Sequence, residues 1–92
     1  MPAPLTASRS TAGVFTDGST QINRLMSWHV KESAGAAAVI NIRRKNATGT
    51  IAIPLYIPAN VSVGDHFHHP PIADGWYLEI VSGAVVVSVT GS

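Results

Sequence analysis

The chain contains no cysteine and few charged side chains. The absence of cysteine excludes disulfides and thiolate metal sites. Charged residues make up 12% of the 92 residues, against an average share of about 25% in soluble proteins. A chain this short, with no covalent crosslink, gains stability by burying surface in an assembly. The composition therefore favours a subunit that packs against other protein, with a free small β domain as the simpler alternative.

A strong charge and a long apolar run are also missing. The formal net charge is +1, and the one basic run is Arg43, Arg44 and Lys45, beside a predicted turn. Three such charges are too few for a nucleic-acid groove. No stretch approaches the roughly 18 apolar residues of a membrane helix, and residues 1–20 lack the apolar region of a secretion signal. We expect neither a nucleic-acid nor a membrane partner.

Helical periodicity is absent as well, and an alternation of apolar and polar residues takes its place. Alternation with a period of two predicts half-buried strands, whose inward side chains we expect to be the following: Met26, Trp28 and Val30; Ala38, Ile40 and Ile42; Ile51, Ile53, Leu55 and Ile57; Trp76, Leu78 and Ile80; and Val85, Val87 and Val89. A weaker strand is predicted over residues 60–67. Six or seven short strands predict an all-β fold, a small antiparallel β-sandwich or jelly-roll-like barrel.

Proline and glycine positions refine this fold. Pro54 lies inside a predicted strand and has no amide hydrogen to donate, so that strand should lie at a sheet edge or carry a bulge. Ser82 and Gly83 separate the last two predicted strands, a spacing typical of a tight hairpin.

The first 20 residues differ from the rest of the chain. They are rich in Pro, Ala, Ser, Thr and Gly and show no sustained alternation, so we predict an extended N-terminal arm over residues 1–20 and a β-sandwich domain over residues 21–92. Apolar residues of the arm, and apolar residues that face outward on predicted strands, are candidates for an interface with other protein. These candidates are Leu5, Val14, Phe15, Tyr77, Val81 and Val86.

Histidines provide the one candidate metal site. His66 and His68 would point to the same side of a strand, where two imidazoles could share a metal. A zinc site normally needs three or four ligands, and nothing in the sequence brings a third to this pair. Solvated histidines at a loop end are the alternative, and we expect no bound metal and no cofactor.

The same segment also resembles part of an enzyme family. Gly64, His66, His68 and Gly83 resemble the first cupin motif, although Trp76 stands where the acidic residue of that motif would lie. The five carboxylates are scattered, and no phosphate-binding loop is visible. We therefore expect a protein that is not an enzyme and keep a cupin-like metal enzyme as a remote alternative.

A second resemblance covers about 65 of the 92 residues, beginning near Trp28. Its elements are a strand ending in Val30 and Lys31, a Ser-Ala-Gly turn at residues 33–35, an apolar strand ending in Asn41, a second hairpin, and a Gly-Trp-Tyr stretch at residues 75–77. A Val-Ser-Gly turn then leads into a strand rich in Val, Ser and Thr. In this pattern the chain resembles the small jelly-roll-like β-sandwich proteins of tailed-phage virions.

The resemblance implies a structural role. Such a protein decorates the capsid and stabilises it through contacts with the major capsid protein or other virion proteins, commonly as a homotrimer, and is located in the virion. One alternative is a tail, fibre or glycan-binding module that would use Tyr77 and residues 66–74.

Overall fold

Antiparallel strands carry the whole fold. In the computed structural model, which describes residues 4–92, no residue of that range is helical. The strands are β1 (Leu5–Arg9), β2 (Gly13–Val14), β3 (Thr16–Asp17), β4 (Thr20–Gln21), β5 (Leu25–Glu32), β6 (Ala38–Arg44), β7 (Ile51–Ile57), β8 (Ser62–His66), β9 (Trp76–Ser82) and β10 (Val85–Gly91). The prediction of an all-β antiparallel sandwich is confirmed.

The strands pair as in a long hairpin that has been rolled up. β6 and β7 form the innermost pair, and the pairs β5–β8, β2–β9 and β1–β10 nest around it. Rolling this ribbon gives a first sheet with the order β1-β10-β5-β8 and a second sheet with the order β2-β9-β6-β7. The small β3–β4 hairpin lies in the connection between β2 and β5. Two four-stranded sheets connected in this way have the topology of a jelly roll.

Most of the predicted inward side chains fill the space between the two sheets. The prediction is wrong for Met26, which is half-buried while Leu25 beside it is in the core, and for Ile51, which is exposed. Because strand side chains alternate between the faces of a sheet, every second residue of β6 and β10 is buried. These residues are Ala38, Ile40, Ile42, Val85, Val87 and Val89, all with at most 2% exposure. Burial of each large apolar side chain contributes about 1.5–3 kcal/mol. Trp76 is also fully buried, and its indole nitrogen donates a 2.9 Å hydrogen bond to the carbonyl oxygen of Asn23.

Pro54 lies on an edge strand, as its missing amide hydrogen predicts. It belongs to β7, an edge strand of the second sheet, opposite Asn41 of β6. Since an edge strand has one unpaired side, a proline there interrupts less of the hydrogen-bonded ladder than it would in a central strand. The predicted inward residues of β7 vary in burial: Ile53 and Leu55 pack against the core, whereas Ile51 is 41% exposed.

The segment at Ser82 and Gly83 is a corner between the sheets, so the predicted hairpin is wrong. β9 pairs with β6 and β2, whereas β10 pairs with β5 and β1. Gly83 has a φ of 84°, a left-handed conformation that a tight hairpin and a sheet-to-sheet corner both use. The sequence signal identified the reversal of the chain but could not identify which strands pair.

An extended N-terminal arm is not confirmed. Residues 5–9 form β1, which pairs with β10 of the same chain from Leu5 opposite Gly91 to Arg9 opposite Val87. Phe15, predicted as an anchor on a neighbour, is fully buried in the chain's own core. The first three residues of the predicted arm lie outside the described residues. The short alternation from Leu5 through Ala7 was the signal for β1, and the flanking Ser and Thr residues obscured it.

We expect Gly83→Ala to destabilise the fold. A Cβ at this position would lie 2.7 Å from the Cα and Cβ of Ala38, on a backbone already in the left-handed region. The free energy of unfolding measured in urea should fall by at least about 2 kcal/mol. Gly18→Ala is the matched control, because Gly18 has a φ of 63° but no atom within 4 Å of the added Cβ. The control should lose only about 1 kcal/mol, and equal losses would contradict the close packing at the corner.

Candidate interaction surface

The connections between strands divide into two groups at opposite ends of the sandwich. In the first sheet, the pairs Arg9–Val87 and Glu32–Val85 place the end of β1, the end of β5 and the start of β10 together. In the second sheet, β6 begins where β7 and β9 end. We call this the corner end, formed by residues 10–12, 33–37, 58–61 and 83–84. The opposite loop end consists of residues 15–24, 45–50 and 67–75.

The corner end contains no charged residue. Its four segments consist of Ser, Thr, Ala, Gly, Pro, Asn and Val, and most of these residues are exposed. The charged residues that border it are Arg9, Lys31 and Glu32. Lys31 stands on the outer face of the first sheet opposite Val86 and Ser62. The side chains of Arg9 and Glu32 instead form hydrogen bonds with backbone groups of the corner end.

Arg9 fixes the connection between β1 and β2. Its guanidinium donates hydrogen bonds to the carbonyl oxygens of Thr11 (3.0 Å), Ala12 (3.0 Å) and Val14 (3.3 Å). Gly13 makes room for this arrangement, because a Cβ there would overlap the guanidinium. The positive charge of Arg9 therefore faces backbone carbonyls of its own chain. Such charge-assisted hydrogen bonds are stronger than hydrogen bonds between neutral groups.

Glu32 joins two further connections. It is only 3% exposed, and its carboxylate accepts hydrogen bonds from the amides of Ala34, Gly35 (2.9 Å) and Asn60 (2.8 Å). The Asn60 amide is the largest cause of a lowered pKa of Glu32, followed by the Ala34 amide, and together they outweigh the opposing effect of burial. Residues 33–37 and 58–61 are thereby held against each other by one side chain.

Exposed apolar side chains surround the corner end. Tyr56 is 66% exposed, Val81 is 59% exposed and Val86 is 39% exposed. Each lies one residue inside the end of its strand, on β7, β9 and β10 respectively. Val81 stands out from the sheet because the register between β6 and β9 shifts there: Val39 is opposite Ser82 and Ile40 is opposite Ile80. Such a bulge re-aims side chains at a sheet margin.

The six predicted interface residues are distributed unevenly. Val81 and Val86 are exposed beside the corner end, whereas Phe15 is part of the core. Leu5, Val14 and Tyr77 are half-buried. Tyr77 lies on the outer face of the second sheet, opposite Val14 and Arg43. The sequence prediction did not select Tyr56, although the inward face assigned to Leu55 and Ile57 already implied that the side chain between them points outward.

The histidines do not share one strand face. β8 ends at His66, which stands opposite Ser27 on the outer face of the first sheet. His68 lies in the following loop, where its ring packs edge-to-face on that of His69 at 4.8 Å between centroids. The observed strand is thus shorter than the predicted one over residues 60–67, and the prediction that His66 and His68 lie on one face of that strand is wrong. Within residues 4–92, no group of three or more His, Asp or Glu side chains is placed to hold a metal ion.

Glu79 carries a further engaged carboxylate, on the outer face of the second sheet. It accepts a 2.7 Å hydrogen bond from Asn41 and forms a 3.1 Å ion pair with Arg43. The hydrogen bond from Asn41 and then that from Arg43 lower its pKa. Because this pair is partly exposed, it contributes little to stability by itself.

The loop end has a different character from the corner end. Arg24 and Lys45 are exposed there beside Arg44 at the end of β6, and Asp17 and Asp74 are exposed as well. Arg44 lies 5.1 Å above the Trp76 ring and donates a 3.0 Å hydrogen bond to the carbonyl oxygen of Ile72. Ile72 itself is 68% exposed. The loop end thus combines an exposed apolar residue with exposed charges of both signs.

Comparison of the chain with protein-family models, with curated proteins and with solved structures gives no match. In the described range, no helix is long and apolar enough to cross a membrane. The case for a function accordingly rests on the fold and on the surfaces described above.

We expect Glu32→Gln to lower the free energy of unfolding in a pH-dependent way. Because folding lowers the pKa of Glu32, its stabilisation is complete above the ordinary value of 4.5 and is lost as the pH falls through the lower folded pKa. The variant should be less stable than the wild type at neutral pH, and this difference should shrink as the pH falls below 4.5. Urea unfolding at a series of pH values measures both. A difference that does not vary with pH would contradict the role of the ionised carboxylate.

Proposed function

We propose that the chain is a structural virion protein of the capsid-decoration type, which binds and stabilises a phage head through protein–protein contacts. Its partners would be the major capsid protein or other virion proteins. It would act as a homo-oligomer, with a trimer as the expected form.

The observation that carries this proposal is the surface at the corner end. Four connections expose no charged side chain, and Tyr56, Val81 and Val86 add exposed apolar area around them. The cores of protein interfaces are depleted in charge and enriched in tyrosine. An uncharged surface bordered by exposed apolar side chains is typical of a contact with another protein.

The fixed shape of this surface supports a binding role. Arg9 and Glu32 tie three of the four connections to the sandwich through hydrogen bonds to backbone groups. A surface whose loops are already ordered loses less conformational entropy when it binds a partner. The same two residues keep their charges inside the loops, so the partner does not have to remove water from an exposed ion.

The fold agrees with the proposal and also with its alternatives. Jelly rolls are found in viral capsid proteins, in lectins and in cupins, so topology alone does not choose among these functions. The side chains favour the structural role over the cupin-like one. Glu32 and Glu79 are engaged by their own chain, and His68 packs on His69 instead of pairing with His66 on a strand.

We expect the chain to be present on the heads of the phage whose genome encodes it. Heads purified by density gradient should contain the chain in a fixed ratio to the major capsid protein, as measured by quantitative mass spectrometry. Heads made without the gene should bind the recombinant chain again and withstand a higher temperature after binding. A head fraction that contains none of the chain and does not bind it would contradict the proposal. Recovery in the tail fraction alone would favour the tail or fibre alternative.

A further inference from the structure

We propose that the free edge of β8 binds an extended segment of another virion protein, which adds a strand to the first sheet. The inference deepens the proposed function, on which it rests, by naming the form of the partner and a second place of contact. The segment would lie along Ser62–His66 and carry apolar side chains at alternate positions, with a basic side chain beside Asp65.

Hydrogen bonds show which backbone groups of β8 face outward. The Glu32 amide donates a 3.1 Å hydrogen bond to the carbonyl oxygen of Val61, and the Phe67 amide donates a 2.8 Å hydrogen bond to that of Met26. Hydrogen-bonded and non-hydrogen-bonded pairs alternate along an antiparallel ladder. Because β5 and β8 pair in a continuous register, the backbone groups of residues 62, 64 and 66 point away from the sheet.

Two amides on this edge are available to a partner. The His66 amide donates a 2.8 Å hydrogen bond to the Asp65 carboxylate. The Ser62 and Gly64 amides find no acceptor among residues 4–92. An extended segment laid along the edge would pair with both, because strand addition uses main-chain hydrogen bonds. A helix could not do this, since its amides and carbonyls already bond to each other.

The other three edge strands are protected. On β1, the Thr6 amide already donates a 3.1 Å hydrogen bond to the Asp17 carboxylate. β2 is two residues long, and β7 contains Pro54 and a register shift beside Arg43. Short strands, prolines and bulges are the devices that keep sheet edges from pairing. β8 has five residues, no proline and no register shift, so it is the edge that can accept a further strand.

Apolar side chains beside this edge are incompletely covered. The inward residues of β8 and of β7, the edge strand of the other sheet, pack against the core but stay half-buried. They are Ile53, Leu55, Val61 and Val63, and Phe67 directly after β8 is half-buried as well. An added strand would direct every second side chain to this inner side. Apolar residues at those positions would remove this surface from water.

Asp65 adds a preference for charge. It lies two residues after Val63, on the same side of β8, and is exposed. A residue of the segment two positions from the one that covers Val63 would stand beside this carboxylate. Opposite charges on neighbouring strands stabilise their pairing, so Lys or Arg fits that position. The segment should therefore contain an apolar and a basic residue separated by one position.

β8 is continuous with the surface that carries the proposed function. Residues 58–61 belong to the corner end, and Ser62 follows them directly. The Glu32 carboxylate holds the Asn60 amide, which fixes the point where β8 begins. A protein that contacts the corner end can thus extend a segment along β8. Each contact would strengthen the other, because the second one forms within a complex that already exists.

Peptide binding to the whole chain tests the inference. The probes are overlapping peptides of about 12 residues, long enough to span β8 when extended, which together cover the virion proteins encoded in the same genome. At least one peptide with the expected spacing of apolar and basic residues should bind, as measured by fluorescence polarisation. Its binding should slow hydrogen exchange of the Ser62 and Gly64 amides, measured by NMR, by about tenfold or more.

Ser62→Pro should weaken this binding by about tenfold or more, because it removes an outward amide and places a ring on the edge. The variant should fold, since this amide does not bond to β5 and since β7 already contains a proline. Ser8→Pro is the matched control. Ser8 lies on the edge strand β1, where its amide points away from β10 as the Thr6 amide does, so the control should leave binding unchanged.

A panel in which no peptide binds would overturn the inference. A bound peptide that leaves exchange at Ser62 and Gly64 unchanged, or that Ser62→Pro and Ser8→Pro weaken equally, would overturn it too. Exchange that slows with the concentration of the chain alone, without peptide, would show that a second copy occupies the edge, which also contradicts the inference.

These outcomes are distinct from those that test the proposed function. A chain that binds heads but no peptide would refute strand addition and leave the decoration role standing. Binding at β8 by peptides of tail proteins alone, with no binding to heads, would keep strand addition and refute the decoration role.

Discussion

The carboxylate of Glu32 is the interaction on which the proposed surface depends. It is the one acidic group turned into the corner end, and it accepts amides from two connections that are far apart in sequence, near Ala34 and Asn60. Without this anion, residues 33–37 and 58–61 would lose their common partner, and their amides would need water instead. The corner end thus exposes no charge although it contains the Glu32 carboxylate, because backbone amides donate hydrogen bonds to that carboxylate and it is buried. Arg9 does the same with backbone carbonyls on the neighbouring connection.

The fold follows from the alternation of side chains and from the nesting of strand pairs. Alternation was visible in the sequence, and the inward residues of β6 and β10 could be predicted individually because apolar residues recur at every second position, with polar residues such as Asn41, Arg43 and Ser88 between some of them. The position of Pro54 at a sheet edge was also predictable, because proline has no amide hydrogen to donate to a neighbouring strand. Strand pairing was not predictable, because a turn such as Ser82–Gly83 has the same local conformation whether the next strand joins the same sheet or the opposite one.

The candidate surface was harder to find from the sequence than the fold was. Val81 and Val86 could be selected as outward apolar residues, but Phe15 was assigned to a contact although it belongs to the core. An interaction surface is assembled from segments distant in sequence, and only the rolled ribbon brings residues 33–37 beside residues 58–61. The hydrogen bond between the Asn60 amide and Glu32 could not be predicted from the sequence either. A single glutamate next to a turn is usually exposed to solvent, and nothing in the sequence around Glu32 indicates that it is buried.

The two ends of the sandwich differ in charge, so they can be told apart by experiment. One end is neutral and closed by its own hydrogen bonds, and the other exposes Arg24, Arg44 and Lys45. Because the chain has no cysteine, a single introduced thiol can report on either end. The most direct measurement is the rate at which a maleimide labels Ala36→Cys at the corner end and Ala47→Cys at the loop end, with and without added phage heads that lack the chain. The account predicts that the heads slow labelling at position 36 and leave it unchanged at position 47, and equal rates with and without heads at position 36 would contradict it.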